Sequence, residues 1–135
     1  MTNSKYVTTE EDIFSIFALP SWKLEGIATY PANYASSEHD AEYIRISIIP
    51  GSQGINAYSV EGIVMIDIFT AYGYGDRRSL EIADTLDTFL VNKTFSTNGK
   101  TTQIFESTLK SASNADDTTL DRKIFTIPFK HFGVN

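Results

Sequence analysis

The residue types best suited to chemistry lie in the segment AYGYGDRRSLEIAD, from Ala71 to Asp84. It follows the apolar run EGIVMIDIF and leads into a segment with helical periodicity, so a Gly-x-Gly turn stands between a strand and a helix. The dinucleotide fingerprint needs a third glycine where this chain has Arg78, and the P-loop needs a Gly-Lys-Ser/Thr ending that is absent. The sequence therefore predicts that Gly73 and Gly75 adopt positive φ angles and turn the chain from strand to helix, without holding a phosphate.

Other chemically capable residues do not form a recognisable catalytic or metal site. Ser37-Glu38-His39-Asp40 holds the residue types of a hydrolytic triad, but neighbours in a loop rarely face one another as triad members must. The second histidine, His131, is distant in the chain, and two separated histidines make a weak metal site. Asp116-Asp117 lacks the glycine spacing and closing glutamate of a calcium loop. We expect no catalytic residue, no metal and no cofactor, and a protein that is not an enzyme.

Composition indicates one acidic domain over residues 1–135, with residues 1–8 flexible. The chain is 41% hydrophobic, carries a formal charge of −6 and contains no cysteine. Such a surface repels phosphates, which argues against a grip on duplex nucleic acid. The missing cysteines exclude disulfides, thiolate zinc sites and cysteine nucleophiles. No apolar run approaches the roughly 20 residues that cross a bilayer, and the N-terminus lacks a signal-peptide pattern.

Periodicity predicts the elements that must position these groups. A short helix begins at Thr8 or Thr9 and ends at Pro20, and a second helix spans about Asp76 to Asn92. Strands are expected at Trp22–Pro31, in EYIRISIIPG up to a Pro50-Gly51 turn, at Val60–Phe69, on both sides of a turn at Asn98-Gly99, and in RKIFTIPFKHF, where Pro128 favours an edge position or a bulge. This order predicts an α+β fold: a mainly antiparallel sheet of about five strands, with one long helix packed on it and a short N-terminal helix.

The ordered segments together resemble a known family. The series GIATYPANY, AEYIRISIIPG, GINAYSVEGIVMIDIFTAYGYGDRRSLEIADTLDTFL, GKTTQIFES and RKIFTIPFKHF is similar to the tail terminator-like proteins of tailed bacteriophages, over residues 24 to 131. The resemblance lies in the order and spacing of these segments.

This resemblance implies a structural protein of the virion, assembled in the host bacterial cytoplasm. Members form a ring, commonly a hexamer, on the head-proximal end of the tail tube, where they stop tube growth and meet head-completion (neck) proteins. Genomic DNA passes through the lumen without specific binding, which suits an acidic chain. No catalysis and no cofactor are implied.

A ring of identical subunits needs two complementary surfaces on each subunit. Charge complementarity predicts that Glu81, Asp84 and Asp87 of one subunit meet Arg45, Arg77 and Arg78 of its neighbour. Tyr72 and Tyr74, and the polar loops SQGINAYS and SASNADDTT, are further expected contacts between subunits or with the tube.

Two alternatives remain open from the sequence. One is another neck or tail-completion protein of related fold. The other is a small-ligand-binding α+β module that uses the loop from Tyr72 to Arg78.

Overall fold

The computed structural model describes residues 5–32, 42–71, 76–97, 99–112 and 120–133. Within these ranges it has three helices and seven strands. The helices are α1 (Lys5–Phe17), α2 (Pro20–Leu24) and α3 (Arg77–Leu90), and the strands are β1 (Ala28–Pro31), β2 (Tyr43–Gln53), β3 (Val60–Ala71), β4 (Thr94–Thr97), β5 (Lys100–Ile104), β6 (Thr108–Ala112) and β7 (Leu120–Phe132).

The strands form one mixed sheet in the order β1-β2-β3-β7-β5-β4, with β6 also paired to β7. Three long strands make its centre: β2 and β3 pair antiparallel from Tyr43 with Phe69 to Gln53 with Val60, and β3 pairs antiparallel with β7. Strands β5 and β6 share the other edge of β7, one beside each half of it. Strand β1 pairs in parallel with β2 and makes the sheet mixed.

The predicted fold class is therefore wrong. In place of an α+β fold with about five antiparallel strands and one long helix, the described chain is mostly β, with seven strands in a curled mixed sheet and three helices. The difference arises from edge elements that carry little local signal. Strand β6 reads TLKSA and shows no strong apolar alternation, and its pairing with β7 is made between residues distant in sequence.

The N-terminal region differs most from the prediction. Helix α1 begins at Lys5, inside the segment expected to be flexible, and Trp22 lies in helix α2 instead of a strand. Pro20 is the reason, since proline is well suited to the first turn of a helix and here begins α2 where it was expected only to end α1. Trp22 is buried, donates its Nε1–H to Thr29 Oγ1 at 3.0 Å and meets the edge of the Phe89 ring.

The long strands, α3 and the tight turn agree with the sequence. Strands β2 and β3 lie where strands were expected and pair antiparallel, although β2 continues past Pro50 to Gln53 with a bulge between Pro50 and Ser52. Asp76 occupies the N-cap position of α3, and a hairpin joins β4 to β5 at Gly99, whose φ is 79°.

Pro128 lies in an interior strand, neither at a sheet edge nor at a bulge. Its carbonyl accepts from the Phe105 N–H at 3.0 Å, on the side of β7 where β5 ends and β6 has not begun. The N–H that proline lacks would point to the same side, so the ladder with β3 loses no hydrogen bond.

A single hydrophobic core lies between one face of the sheet, the inner face, and all three helices. The inner face is made by alternate residues of β2, β3 and β7, and α3 covers it with the buried Ile82, Leu86 and Leu90. The opposite or outer face carries Arg45, Asp67 and Arg122 and contributes nothing to this core. Among the described helices none is long and apolar enough to span a membrane.

Candidate subunit interface

The residues predicted to contact a neighbouring subunit do not form one patch. Tyr72 and Tyr74, with the two glycines between and after them, lie outside the described residues, as do Ser37-Glu38-His39-Asp40 and Asp116-Asp117. Arg77 and Arg78 open α3, Glu81 and Asp84 follow on the same helix, and Arg45 lies on the outer face of β2. The structure therefore divides the described candidates between the helix layer and the opposite side of the sheet.

Arg78 is already bonded within its own chain. Its Nε and Nη2 donate to the two carboxylate oxygens of Glu42 at 2.7 and 2.8 Å, a bidentate pair. The hydrogen bond that Arg78 donates to Glu42 raises the pKa of Arg78 above its ordinary value. The pair joins the start of α3 to the residue before β2. Since the guanidinium has its carboxylate, Arg78 is a poor anchor for a neighbouring subunit.

Asp67 gathers two arginines on the outer face. Its side chain is only 1% exposed, and Oδ1 accepts from Arg122 Nε at 2.9 Å and Nη2 at 2.7 Å. Arg45, its direct partner across the β2–β3 ladder, donates from Nη2 to Oδ2 at 3.3 Å. Two cations thus share one carboxylate, which leaves a net positive charge in an acidic protein. We call Arg45, Asp67 and Arg122 the arginine cluster.

Aromatic rings border the arginine cluster. Tyr43 and Phe69 stack with centroids 4.6 Å apart, and Tyr30 meets Tyr43 edge-on at 5.8 Å. The Arg45 guanidinium lies 5.3 Å from the centre of the Phe69 ring, a cation–π contact. Stacked rings and bonded guanidinium groups restrict one another's rotamers, so this part of the outer face is held in one geometry before any partner arrives.

The exposed side of α3 carries the opposite charge. Leu80, Glu81 and Asp84 are all exposed and recur at helical spacing, together with Arg77 at the first residue. Neither Glu81 nor Asp84 forms a salt bridge with another described residue. Because the other side of α3 packs on the inner face of the sheet, this helix surface and the arginine cluster lie on opposite sides of the subunit. We call it the acidic helix face.

Lys123 fixes the start of α3 relative to the sheet. Its Nζ is nearly buried and donates to Asp76 at 2.8 Å and to Asp121 at 3.3 Å. Burial lowers the pKa of Lys123, but the two hydrogen-bonded carboxylates outweigh it, and the pKa lies above its ordinary value. The bond to the N-cap residue positions the helix that presents the acidic face.

A buried polar network joins α1 to the sheet. The Thr102 hydroxyl donates to Asp12 Oδ2 at 2.5 Å and accepts from His131 Nδ1 at 2.8 Å. This arrangement places the histidine proton on Nδ1, and Nε2 is buried without a hydrogen-bond partner in the described chain. Burial lowers the pKa of His131, partly opposed by Asp12 and reinforced by Lys100. This network leaves no pattern in the sequence, because its members lie in three separate elements.

One predicted contact arm is a rigid hairpin end. The loop within SQGINAYS connects β2 to β3, and Asn56 Oδ1 accepts from the Tyr58 N–H at 2.8 Å and the Ser59 hydroxyl at 3.0 Å. Ser59 Oγ in turn accepts from the Gly133 N–H at 3.1 Å. Ile55, 76% exposed, is presented at this end. Most of the other predicted arm, SASNADDTT, lies outside the described residues.

Comparison with known proteins shows a shared fold and nothing about function. No family model and no curated protein matches the chain. A solved structure whose name states no function is similar over 100% of this chain and 99% of that chain, with a TM-score of 0.66 and 14% sequence identity. At this identity the similarity shows that the two chains have a related fold.

Proposed function

We propose that the protein is a structural component of a phage virion that acts as a tail terminator. In this proposal its subunits form a ring, of six by analogy with the family it resembles, on the head-proximal end of the tail tube. The ring stops tube polymerisation and joins the tail to head-completion proteins, and genomic DNA passes through its lumen without specific binding. The ordered resemblance over residues 24 to 131 supplies the family, and the subunit's surface supports a head-to-tail assembly.

The observation that carries the proposal is the placement of complementary charge on opposite sides of one subunit. A heterologous ring brings one surface of each subunit against a different surface of the next. The acidic helix face offers the carboxylates of Glu81 and Asp84, and the arginine cluster offers two guanidinium groups that share a single carboxylate. The sheet separates the two surfaces, so one subunit cannot satisfy both by itself.

Charge alone does not hold such a ring together. An exposed ion pair contributes about 0.2–1 kcal/mol, so these contacts set orientation and partner choice more than affinity. The apolar part of the contact comes from Leu80, which is exposed at the centre of the acidic helix face, whereas the rings of Tyr43 and Phe69 are buried beside the arginine cluster. A stable contact of this kind buries on the order of 800 Å² on each partner.

The test combines an assembly measurement with a functional one. The full chain, alone and mixed with the tail tube protein of the same genome, is examined by native mass spectrometry and light scattering. Electron microscopy measures tube length. We expect a closed ring of identical subunits at tube ends and tubes of limited length. A chain that neither forms a ring with tubes nor limits their growth would overturn the proposed function.

Charge reversal tests the two surfaces separately from the function. The double variant Glu81→Lys with Asp84→Lys should lose the ring, because both helix carboxylates become cations facing the arginine cluster. The matched control is Glu10→Lys with Glu11→Lys, which makes the same change in net charge at two exposed positions on α1. Rings formed equally well by both variants would contradict this interface while leaving the terminator function to the tube assay.

A further inference from the structure

Within the described chain, part of strand β2 has a free edge. Strand β1 pairs only with Tyr43–Ile46 and ends at Pro31, whereas β2 continues for seven more residues to Gln53. Strand β3 pairs with the other side of β2 over its whole length. In the described chain no strand pairs with the β1 side of residues 47–53, which we call the free edge. Unpaired backbone groups on a sheet edge are ready to bond another strand.

The free edge lacks the charged residues that usually protect such edges. It reads SIIPGSQ, without a lysine, arginine, aspartate or glutamate. The opposite side of the sheet is better protected, since β6 carries Lys110 and Lys93 directly precedes β4. Pro50, at the midpoint of the free edge, and the bulge after it are the protective features on this edge.

An apolar cleft of about 920 Å³ runs beside the free edge. Its floor is the inner face of the sheet, with Ile46, Ile48 and Phe129, and its walls come from α1 and β1, including Phe14 and Tyr30. Strand addition needs two things: backbone groups on an edge for affinity, and a pocket for every second side chain for specificity. The free edge supplies the backbone groups, and the cleft beside it supplies the pocket.

The charges at the two ends of the cleft differ in sign. Glu10 of α1 and Lys23 of α2 both line it, and neither forms a salt bridge with another described residue. The first residue of α1 bonds to the hairpin end, Lys5 Nζ donating to the Ala57 carbonyl at 3.3 Å, whereas α2 directly precedes β1. Glu10, in the middle of α1, therefore lies nearer the hairpin end than Lys23 does.

We propose that the free edge binds an extended segment of a partner protein by strand addition. Seven residues at about 3.3 Å each give a site of roughly 23 Å, in line with β1. The complementary segment has small apolar side chains at alternate positions, a basic residue beside Glu10 and an acidic residue beside Lys23. This inference goes beyond the ring and does not depend on it, because neither the acidic helix face nor the arginine cluster contributes to the cleft.

Two synthetic peptides test the proposal on the full chain: Lys-Val-Thr-Val-Thr-Val-Thr-Asp and the same composition with the terminal Lys and Asp exchanged. The first suits antiparallel and the second parallel addition to β2. We expect one of them to bind in isothermal titration and to slow amide hydrogen exchange within residues 47–53. A version with alternate backbone nitrogens methylated keeps the side chains but cannot complete the ladder, and it should not bind.

A matched pair of variants tests the charge match. Glu10→Lys should weaken binding of the preferred peptide by roughly three- to tenfold, since an exposed attraction becomes a repulsion. Glu11→Lys, the next residue on the same helix and outside the cleft lining, should change it by less than about twofold. The single tryptophan, buried in the wild type, reports whether each variant is folded.

Three results would overturn strand addition. The first is that neither peptide binds at 1 mM. The second is that a peptide binds without slowing the hydrogen exchange of residues 47–53. The third is that the methylated peptide binds equally well, which would make the cleft an apolar ligand pocket. None of these results bears on ring formation, which the Glu81→Lys with Asp84→Lys variant measures separately.

Discussion

Replacing Thr102 by valine should expose the energetic role of the buried network between α1 and the sheet. Thr102 is fully buried in β5, and its hydroxyl is bonded both to Asp12 and to His131. Valine has nearly the same shape but no hydroxyl, so the variant removes both hydrogen bonds without opening a cavity. It also leaves the His131 Nδ1–H buried without its acceptor.

The size of the effect follows from these losses. A hydrogen bond to a charged group contributes about 1.5–3 kcal/mol and a neutral one about 0.5–1.5 kcal/mol, while an unsatisfied buried donor costs about 1–3 kcal/mol. Burying a methyl group in place of the hydroxyl returns about 0.8 kcal/mol. Asp12 is only half-buried and regains water, which discounts its share. We expect the free energy of unfolding to fall by about 2–4 kcal/mol.

The assay is urea unfolding followed by tryptophan fluorescence. Trp22 is the only tryptophan in the chain and is 2% exposed, so its emission should shift to longer wavelength on unfolding. The control is Thr101→Val on the same strand, where the hydroxyl lies 3.4 Å from Ser96 Oγ in an exposed pair. That variant should stay within about 0.5 kcal/mol of the wild type.

A small effect would refute the reasoning. If Thr102→Val costs less than about 1 kcal/mol, or no more than Thr101→Val, the hydroxyl does not hold α1 on the sheet. A double-mutant cycle with Asp12→Asn adds a second check, because residues in one network should couple by about 0.5 kcal/mol or more. Additive effects would place the two groups in independent environments.

Three further outcomes are expected. Burial lowers the pKa of His131, so the unfolded chain takes up a proton on this residue before the folded chain does as the pH falls. The free energy of unfolding should therefore be at its full value above the ordinary histidine pKa of about 6.5 and should decline below it. Urea unfolding at several pH values should show a smaller decline in His131→Gln. Asp67→Asn leaves two guanidinium groups without their buried carboxylate and should cost about 1–3 kcal/mol, less than for a fully buried pair because both arginines reach solvent, whereas the exposed Asp84→Asn should cost less than about 0.5 kcal/mol in the same assay. Gly62→Ala would press its methyl group against a backbone oxygen of β2 and should lower the melting temperature by several degrees, while Gly51→Ala, with no atom nearer than 3.8 Å, should leave it nearly unchanged.

Much of the fold was predictable because burial on one side leaves a local pattern. The alternation of Ile44, Ile46 and Ile48, and of Val64, Ile66 and Ile68, predicted two long strands with the correct buried face. The helical period of α3 predicted its bounds to within about two residues. In each case the element buries one side, and this leaves a periodic pattern in its own sequence. The pattern can therefore be read without knowing which element packs against it.

Pairing between distant segments was not predictable in the same way. Strand β1 adds in parallel to β2, and β6 lies beside β7. Both pairings depend on strand register, and nothing in the sequence of one strand identifies the strand with which it pairs. The parallel pairing of β1 turned an expected antiparallel sheet into a mixed one, and β6 added a further antiparallel strand to it. Pro20 also admits two interpretations, the end of one helix or the start of the next, and the packing of Trp22 between α1 and α3 decides for the second.

The sequence by itself determined which residue types were available for an interface and that they were charged and aromatic. Only the tertiary structure decided which of them remain available. Arg78 and Arg45 look equivalent in the sequence, yet one closes a bidentate pair with Glu42 and the other shares Asp67 with Arg122. Asp67 lies on the face of β3 opposite the core and is nevertheless buried. The physical reason is that a charged side chain pairs with groups that are close in the folded structure, and strand register decides which groups are close.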